Sequence, residues 1–173
     1  MRYLDKNERP KIKLPLSSLD QVIEFIGIAF LLFMFVLPLR YYGDIPGKIP
    51  THFNAAGTPD GFGSKATIWL LPLTGLALWL LMKIVNRFPD KFNFPVKITE
   101  ENAPDQYRIA TRMIRILKCV ILIMFSFISY RTIQTALGKE AGLGKIFLPV
   151  FLVVTFGIVI IFFFKANTTK DQT

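Results

Sequence analysis

The sequence predicts an all-α integral membrane protein with four transmembrane helices, and its composition and its apolar runs carry that prediction. Of its 173 residues, 52% are hydrophobic and 17 are phenylalanine, and the mean hydropathy is +0.44. A soluble domain of this length cannot bury so much apolar surface. Four apolar runs approach the ~20 residues that cross about 30 Å of hydrocarbon as a helix, which pairs every backbone group internally. These runs cover about residues 22–41, 66–85, 114–132 and 146–164.

The distribution of charge predicts the orientation of these spans. Fifteen basic residues lie in the two tails and the second connection with its flanks, against six in the first and third connections. Because positive residues are retained inside, both termini are predicted to be cytoplasmic. The first connection is then extracytoplasmic. The net charge of +9 fits anchoring at anionic lipid headgroups, so the lipid bilayer is a predicted partner and nucleic acid is not.

The predicted pieces follow in order along the chain. Residues 1–21 form a basic cytoplasmic tail, 22–164 hold the membrane domain, and 165–173 form a polar tail. A cap at Ser17 or Ser18 is expected to begin the first helix. Glu24, at the inner edge of the first span, is expected to face headgroups or pair with a nearby lysine. An inward functional carboxylate is the alternative.

The cytoplasmic connection, residues 86–113, divides into two halves. The first alternates aromatic residues with prolines and cannot be a helix, whereas the second begins one with Asn102 as cap. From there Arg108, Arg112 and Arg115 share a face, which predicts an amphipathic lead-in to the third span with its cations at the headgroups. Docking of a cytosolic regulator on this basic face is the alternative.

The absence of ionisable residues from the middle of the predicted spans argues against a transport function. No Asp, Glu or His falls near a predicted bilayer midplane, where coupled transporters bury the ionisable groups that carry charge. Pro72 with Gly75 predicts a local bend and close helix packing in the second span. The single cysteine, Cys119, excludes an intrachain disulfide and is expected to be a small lipid- or helix-facing residue.

The extracytoplasmic loop, residues 42–65, holds the densest group of special residues in the chain. Positions 49–65 contain the only histidine, three glycines, two prolines and two phenylalanines. The sequence Thr58-Pro59-Asp60-Gly61 predicts a β-turn, and residues 49–53 are expected to be extended, with Ile49, Thr51 and Phe53 on one side. A short hairpin or compact folded cap is therefore predicted.

Several chemistries are open to this loop. Asp44, His52 and Asp60 would be a weak metal set without fixed spacing, and Ser64 with His52 would be a nucleophile–base pair without a third member. A purely structural alternative has His52 and Asn54 satisfying the loop's own backbone, with Asp60 capping a turn. Recognition of an extracellular peptide or lipid group is the remaining alternative. No enzymatic activity, cofactor or metal is predicted.

The contiguous string from Ile49 to Asn54, followed by Gly57, Pro59-Asp60-Gly61 and Ser64-Lys65, resembles the signature of a bacterial membrane domain, domain of unknown function 1648. This domain forms the N-terminal region of SdpI-type proteins, which are immunity factors against a secreted toxic peptide and in some cases signal through a sequestered repressor. The resemblance covers about residues 25–85, and no counterpart of the C-terminal immunity portion is expected after the fourth span. It implies a location in a bacterial plasma (inner) membrane. It also implies that the positions that matter are Pro50, His52, Phe53, Asn54, Gly57, Asp60, Gly61, Ser64 and Lys65.

We therefore predict a non-enzymatic membrane protein with a binding or regulatory role, which engages an extracellular peptide through the loop. A transporter accessory subunit is the first alternative, and a metal-dependent membrane enzyme is the second.

Overall fold

A computed structural model describes residues 3–169 and is mostly helical. Its helices are α1 (Ser18–Tyr41), α2 (Leu70–Val85), α3 (Ala103–Ala136) and α4 (Phe147–Thr168), and a 3₁₀ helix (Lys65–Trp69) leads directly into α2. Within residues 3–169, four helical segments are long and apolar enough to cross a membrane. The four predicted spans are confirmed, and the chain is a multi-pass membrane protein. Between α1 and α2 lie the strands β1 (Lys48–Phe53) and β2 (Pro59–Ser64).

Helix α3 is the centre of the bundle. It packs against each of the other three helices and against strand β1. Its 34 residues make it about 51 Å long at 1.5 Å per residue, which exceeds the hydrocarbon thickness. The predicted lead-in and the predicted third span are therefore one continuous helix, as expected from the sequence.

The polar face of α3 points into the bundle. Thr111, Lys118, Ser126 and Ser129 are buried, whereas large apolar side chains such as Val153 on α4 are exposed. This arrangement suits a protein whose outer surface lipid covers, because apolar side chains are stable there and charges are not.

The predicted arginine face requires a correction. Arg108 is exposed and lies 3.5 Å from Asp105, but Arg112 and Arg115 turn toward α1 and contact the carboxylate of Asp20. The headgroup-facing position predicted for Arg112 and Arg115 is therefore wrong. Pairing with Asp20 stabilises the charge of both guanidinium groups inside the bundle.

Small residues allow the helices to approach closely. A β-carbon on Gly75 of α2 would lie 3.0 Å from the Met34 side chain and 3.4 Å from that of Leu122. Gly27 of α1 faces Leu122 and Cys119 in the same way. The close packing predicted at Gly75 is confirmed, and Cys119 is buried between helices.

The bundle has two distinct ends. The hairpin and the α3–α4 connection lie together at the first, called here the hairpin end, where Leu143 N–H donates to Gly57 O at 2.7 Å. The tail end gathers residues 3–17, the α2–α3 connection and the end of α4, where Gln106 Nε2 donates to Ala166 O at 2.9 Å. The predicted grouping of connections and tails is thus present.

The tail end is more ordered than the sequence indicates. Leu4 N–H donates to Ile98 O at 2.9 Å, and Arg9 donates to Phe92 O at 2.8 Å. Residues predicted as a plain basic tail therefore pack on the α2–α3 connection. The predicted polar tail at 165–173 begins inside α4, and Arg2 and residues 170–173 lie outside the described residues.

Both predicted helix starts are confirmed, but only the first helix is capped by a side chain. Ser17 accepts a hydrogen bond from Asp20 N–H, and the Asp20 carboxylate accepts from Ser17 N–H, which is a capping box. Asn102 instead turns back, and its Oδ1 accepts from Thr99 N–H at 2.9 Å. It makes no side-chain cap to α3.

Candidate functional site: the hairpin cleft

The hairpin is an antiparallel pair whose register is interrupted twice. Lys48 faces Ser64, Ile49 faces Gly63 and His52 faces Gly61, with irregularities on either side of His52. Such bulges break the alternation of side chains along a strand. Ile49 is consequently buried while Thr51 is exposed, although Ile49, Thr51 and Phe53 all line the same cleft, which is described below. The predicted hairpin itself is confirmed.

The turn of the hairpin lies earlier than predicted. Pro59, Asp60 and Gly61 belong to β2, and the reversal occurs at residues 54–58. There Asn54 Oδ1 accepts from Ala56 N–H at 3.0 Å and from Thr58 N–H at 3.1 Å, as Asn does in local turns. The structural alternative is therefore right for Asn54, which bonds the loop's own backbone, and wrong for Asp60, which does not cap this turn.

Replacing Asn54 with alanine is expected to loosen the turn by about 1 kcal/mol, because two backbone donors lose their acceptor. Amide exchange at Ala56 and Thr58 should accelerate about fivefold. Asn54→Asp keeps a carboxylate oxygen at the same place and is the matched control. Equal acceleration in both variants would contradict the assigned acceptor role.

The base of the hairpin is tied to the helices. Ile49 packs in an apolar cluster with Leu37, Ile68 and Ile133. The Ser64 hydroxyl accepts from Ala66 N–H at 3.3 Å at the start of the 3₁₀ helix. Lys65 N–H donates to Gly47 O at 3.0 Å, and its ammonium lies 4.6 Å from the Tyr42 ring centre.

The tip of the hairpin docks on the α3–α4 connection, which no sequence pattern predicts. Gly57 has a φ of +74°, and a β-carbon there would lie 2.5 Å from Gly144 O. The connection is held in turn by Arg131 of α3, whose Nε donates to Gly142 O at 2.6 Å and whose guanidinium pairs with Glu140 at 2.7 Å. The hairpin is thus fixed to both sides of the bundle.

A cleft of about 270 Å³ opens between β1 and the helices α2 and α3. Its walls are mainly apolar and come from the strand, the start of the second span and α3. The lining residues include Pro50, Phe53, Ile68, Leu71, Ile128 and Leu143. Three of the predicted loop residues, Pro50, His52 and Phe53, lie in this lining.

Two polar features mark the cleft. Ser129, which is only 3% exposed, is one of the residues that line the cleft, and its buried hydroxyl has no hydrogen-bond partner within the described residues. His52 lies at the opening, where its Nδ1 is 2.5 Å from Asp60 Oδ1 and its side chain is 70% exposed. A buried hydroxyl without a partner favours a ligand that supplies one.

The other residues considered in the sequence analysis have structural contacts near the cleft. Gly61 lies opposite His52, where a β-carbon would come within 3.0 Å of His52 Cβ. Asp44 pairs with Arg40 at 3.2 Å instead of joining His52 and Asp60. Across residues 3–169, no group of three His, Cys, Asp or Glu side chains could hold a metal ion.

A second polar cluster lies at the tail end, between α1 and α3. Arg112 grips Asp20 with Nε at 3.0 Å and Nη2 at 3.2 Å. Lys118 Nζ lies 2.8 and 2.7 Å from the two oxygens of Glu24. Arg115 stands between the pairs, 3.6 Å from Asp20 and 3.7 Å from Glu24. The expected lysine partner of Glu24 is present, but both groups face inward.

Comparison with known proteins bears on the segment that carries the hairpin. Residues 29–76 match the family model described as a domain of unknown function, DUF1648. This segment is similar to a DUF1648 domain. It runs from α1 through the hairpin into α2, so the DUF1648 segment holds every predicted loop residue and one wall of the cleft. The resemblance to this domain is confirmed.

Over most of its length the chain is similar in sequence to an archaeal protein. An uncharacterised protein of Archaeoglobus fulgidus is 24% identical over 172 residues, covering 91% of this chain and 93% of the relative. The similarity therefore extends well beyond the DUF1648 segment, through α3 and into α4. No solved structure matches this chain.

Proposed function

We propose that this protein is a non-enzymatic membrane binding protein whose hairpin cleft receives an apolar side chain of an extracellular peptide. The single observation that carries the proposal is the cleft between β1 and α3, with the unpartnered Ser129 hydroxyl in its wall. The resemblance of the loop to SdpI-type immunity proteins suggests a toxic peptide as the ligand class. An immunity or signalling role is part of this proposal.

The size of the cleft suits the binding of one side chain of a peptide better than that of a whole small molecule. Its volume of about 270 Å³ falls at or below the ~300–1,000 Å³ of pockets that enclose whole small molecules. A site of this size suits an apolar side chain that protrudes from a longer chain. Its apolar walls supply the affinity, and Ser129 can bond one polar group of the ligand.

The His52–Asp60 pair suits the rest of such a ligand. Because Asp60 holds Nδ1 of the imidazole, the ring is fixed in orientation at the opening of the cleft, and Nε2 remains for a polar group of the bound chain. The excess of basic residues on the other side of the membrane supports an extracytoplasmic position for this opening. A peptide would then reach it from outside the cell.

The proposal is tested by growth of cells that express the wild type or a variant, at matched membrane levels, under a panel of secreted antimicrobial peptides. Ser129→Val fills part of the cleft and removes its hydroxyl, and we expect it to abolish protection. Thr155→Val is the matched control, because the Thr155 hydroxyl also has no partner within residues 3–169 but Thr155 does not line the cleft. His52→Ala should weaken protection by removing the fixed ring at the opening.

Three other results would contradict the proposal in different ways. Protection that survives Ser129→Val would separate binding from the cleft. Equal loss in Thr155→Val would indicate general damage to the bundle. Protection by none of the proteins, the wild type included, would exclude a peptide of the tested classes as ligand.

A transporter accessory subunit is a second candidate, and the paired charges at the tail end favour it. Asp20 and Glu24 lie inside the bundle with cationic partners, and ionisable groups within spans often mark ion or substrate pathways. They lie in the first two turns of α1, away from its middle. Flux of an ion or peptide through reconstituted protein, lost in Glu24→Gln, would favour this candidate over the first.

Docking of a cytosolic regulator remains a prediction, and the basic surface available for it is smaller than the sequence indicates. Of the three arginines assigned to it, Arg108 alone is exposed, whereas Arg112 and Arg115 contact Asp20. Charge reversal at Arg108 that releases a pulled-down partner would support it.

A further inference from the structure

The guanidinium group of Arg115 is buried but has few hydrogen-bond acceptors. It is 9% exposed, and its one hydrogen bond within residues 3–169 goes to Thr111 Oγ1 at 3.5 Å. Its distances to Asp20 and Glu24, 3.6 and 3.7 Å, exceed the 2.7–2.9 Å of strong charge-assisted bonds. Each carboxylate has a closer cation of its own, Arg112 or Lys118. A guanidinium with five donors is thus left with room for a further acceptor.

Two cavities meet at Arg115. One, of about 380 Å³, is lined by Lys13, Asn86, Arg87 and Arg115. The other, of about 350 Å³, is lined by Lys83, Asn86, Arg87 and Arg115, with Glu24 at its wall. Asn86, Arg87 and Arg115 therefore belong to both, and they form the boundary between the two spaces.

The charge around these cavities is positive. Both oxygens of Glu24 are engaged by Lys118, whereas Lys13, Lys83 and Arg87 make no ion pair in the described part of the chain. Lys83 and Arg87 line the second cavity together with the under-coordinated Arg115, and Lys13 lines the first. Basic residues that line cavities between membrane helices favour an anionic headgroup.

The polar and apolar residues of the lining indicate which chemical groups the ligand should carry. Asn86 Nδ2 donates to Thr111 O at 3.1 Å, which fixes the amide, and its Oδ1 is buried without a partner among the described residues. A hydroxyl on the ligand would satisfy that oxygen. Beside the cations, Leu16, Ile28 and Trp79 give the second cavity an apolar side, and Ile28 and Trp79 belong to membrane-spanning helices. This side suits an acyl chain and not a free ion.

We infer that Arg115, Arg87, Lys83 and Asn86 form a binding site for the phosphate headgroup of an anionic, hydroxyl-bearing phospholipid such as phosphatidylglycerol. The phosphate lies against the cations, the headgroup hydroxyl bonds Asn86 Oδ1, and an acyl chain follows Trp79 and Ile28. The site is at the opposite end of the bundle from the hairpin cleft. It stands independently of the proposed peptide function.

The test uses the full chain purified in a neutral detergent. Its thermal stability is measured during titration with dioleoylphosphatidylglycerol, dioleoylphosphatidylcholine or inorganic phosphate, since a ligand that binds only the folded state raises the melting temperature. We expect phosphatidylglycerol to stabilise the protein at concentrations where the other two do not. Native mass spectrometry should show a retained phosphatidylglycerol molecule.

The decisive variant is the double substitution Lys83→Gln with Arg87→Gln. Both side chains are exposed on the lining and hold no carboxylate within the described residues, so the fold should tolerate their loss better than that of Arg115. The apparent affinity for phosphatidylglycerol should fall at least tenfold, as expected for two basic groups near an anionic phosphate. Arg108→Gln, a change of the same type at the same end but outside both cavities, should leave the affinity unchanged.

Four outcomes would overturn the inference. Equal stabilisation by phosphatidylcholine would remove the selectivity for anions, and equal stabilisation by inorganic phosphate would assign the site to a free ion. The same loss of affinity in Arg108→Gln would reduce the effect to general surface charge. Unchanged affinity in the double variant would place the lipid elsewhere.

Discussion

Replacing Lys118 with methionine is expected to destabilise this protein more than any other single change at the tail end. Lys118 is 2% exposed, and its ammonium contacts both oxygens of Glu24. Removing one partner of a buried ion pair leaves the other charge uncompensated, at a cost of roughly 3–5 kcal/mol. Arg115, 3.7 Å from Glu24, would offset a part of that loss. Thermal and denaturant unfolding of the full chain in detergent measures the effect.

A second variant separates the pair from its surroundings. Glu24→Met combined with Lys118→Met removes both charges and replaces them with apolar side chains of suitable length, so most of the lost stability should return. Lys139→Met changes an exposed lysine at the hairpin end and should be nearly neutral. If Lys118→Met alone were as neutral as that control, Glu24 would have to be uncharged or reached by water.

Replacing Gly57 with alanine should detach the hairpin tip from the α3–α4 connection. A side chain at a φ of +74° costs roughly 1–2 kcal/mol, and its β-carbon would also meet the backbone of Gly144 at 2.5 to 2.9 Å. The two effects together should lower the free energy of unfolding by roughly 2–4 kcal/mol. Amide exchange at Leu143, which donates to Gly57 O, should become much faster.

The chain supplies its own controls for this change. Gly138 has a φ of +72°, and no atom lies within 4 Å of the place that an alanine methyl group would take, so Gly138→Ala reports the backbone strain alone. Gly47 has open space and an ordinary φ, so Gly47→Ala reports the added methyl alone. Equal destabilisation by Gly57→Ala and Gly138→Ala would mean that the hairpin tip does not depend on its contact with Gly144.

The spans were predictable from the sequence because the bilayer fixes both the length and the polarity of a helix that crosses it. The hairpin was predictable as an element, since its glycines and prolines exclude a helix. Its turn was not, because the local signal at Thr58-Pro59-Asp60-Gly61 competes with a tertiary contact. Gly57 must meet the backbone near Gly144, and that contact places the turn at Asn54.

The inward arginines show the limit of helical periodicity. The spacing of Arg108, Arg112 and Arg115 correctly indicates a shared face, but it does not say whether that face meets headgroups or a neighbouring helix. Asp20 on α1 decides the question for Arg112 and Arg115. Ser129 was missed for a related reason, since one serine in an apolar span carries no pattern until β1 is placed beside it.

Helix α3 contributes residues to both proposed binding sites. Ser129 in the cleft and Arg115 at the tail end are 14 residues apart, about 21 Å along the axis. Any tilt or rotation of α3 that a ligand favours at one site is necessarily felt at the other. By thermodynamic reciprocity, a lipid in one leaflet and a peptide on the opposite face would then change each other's affinity by the same factor. The lipid composition of the membrane would then change the affinity for a peptide on the opposite side.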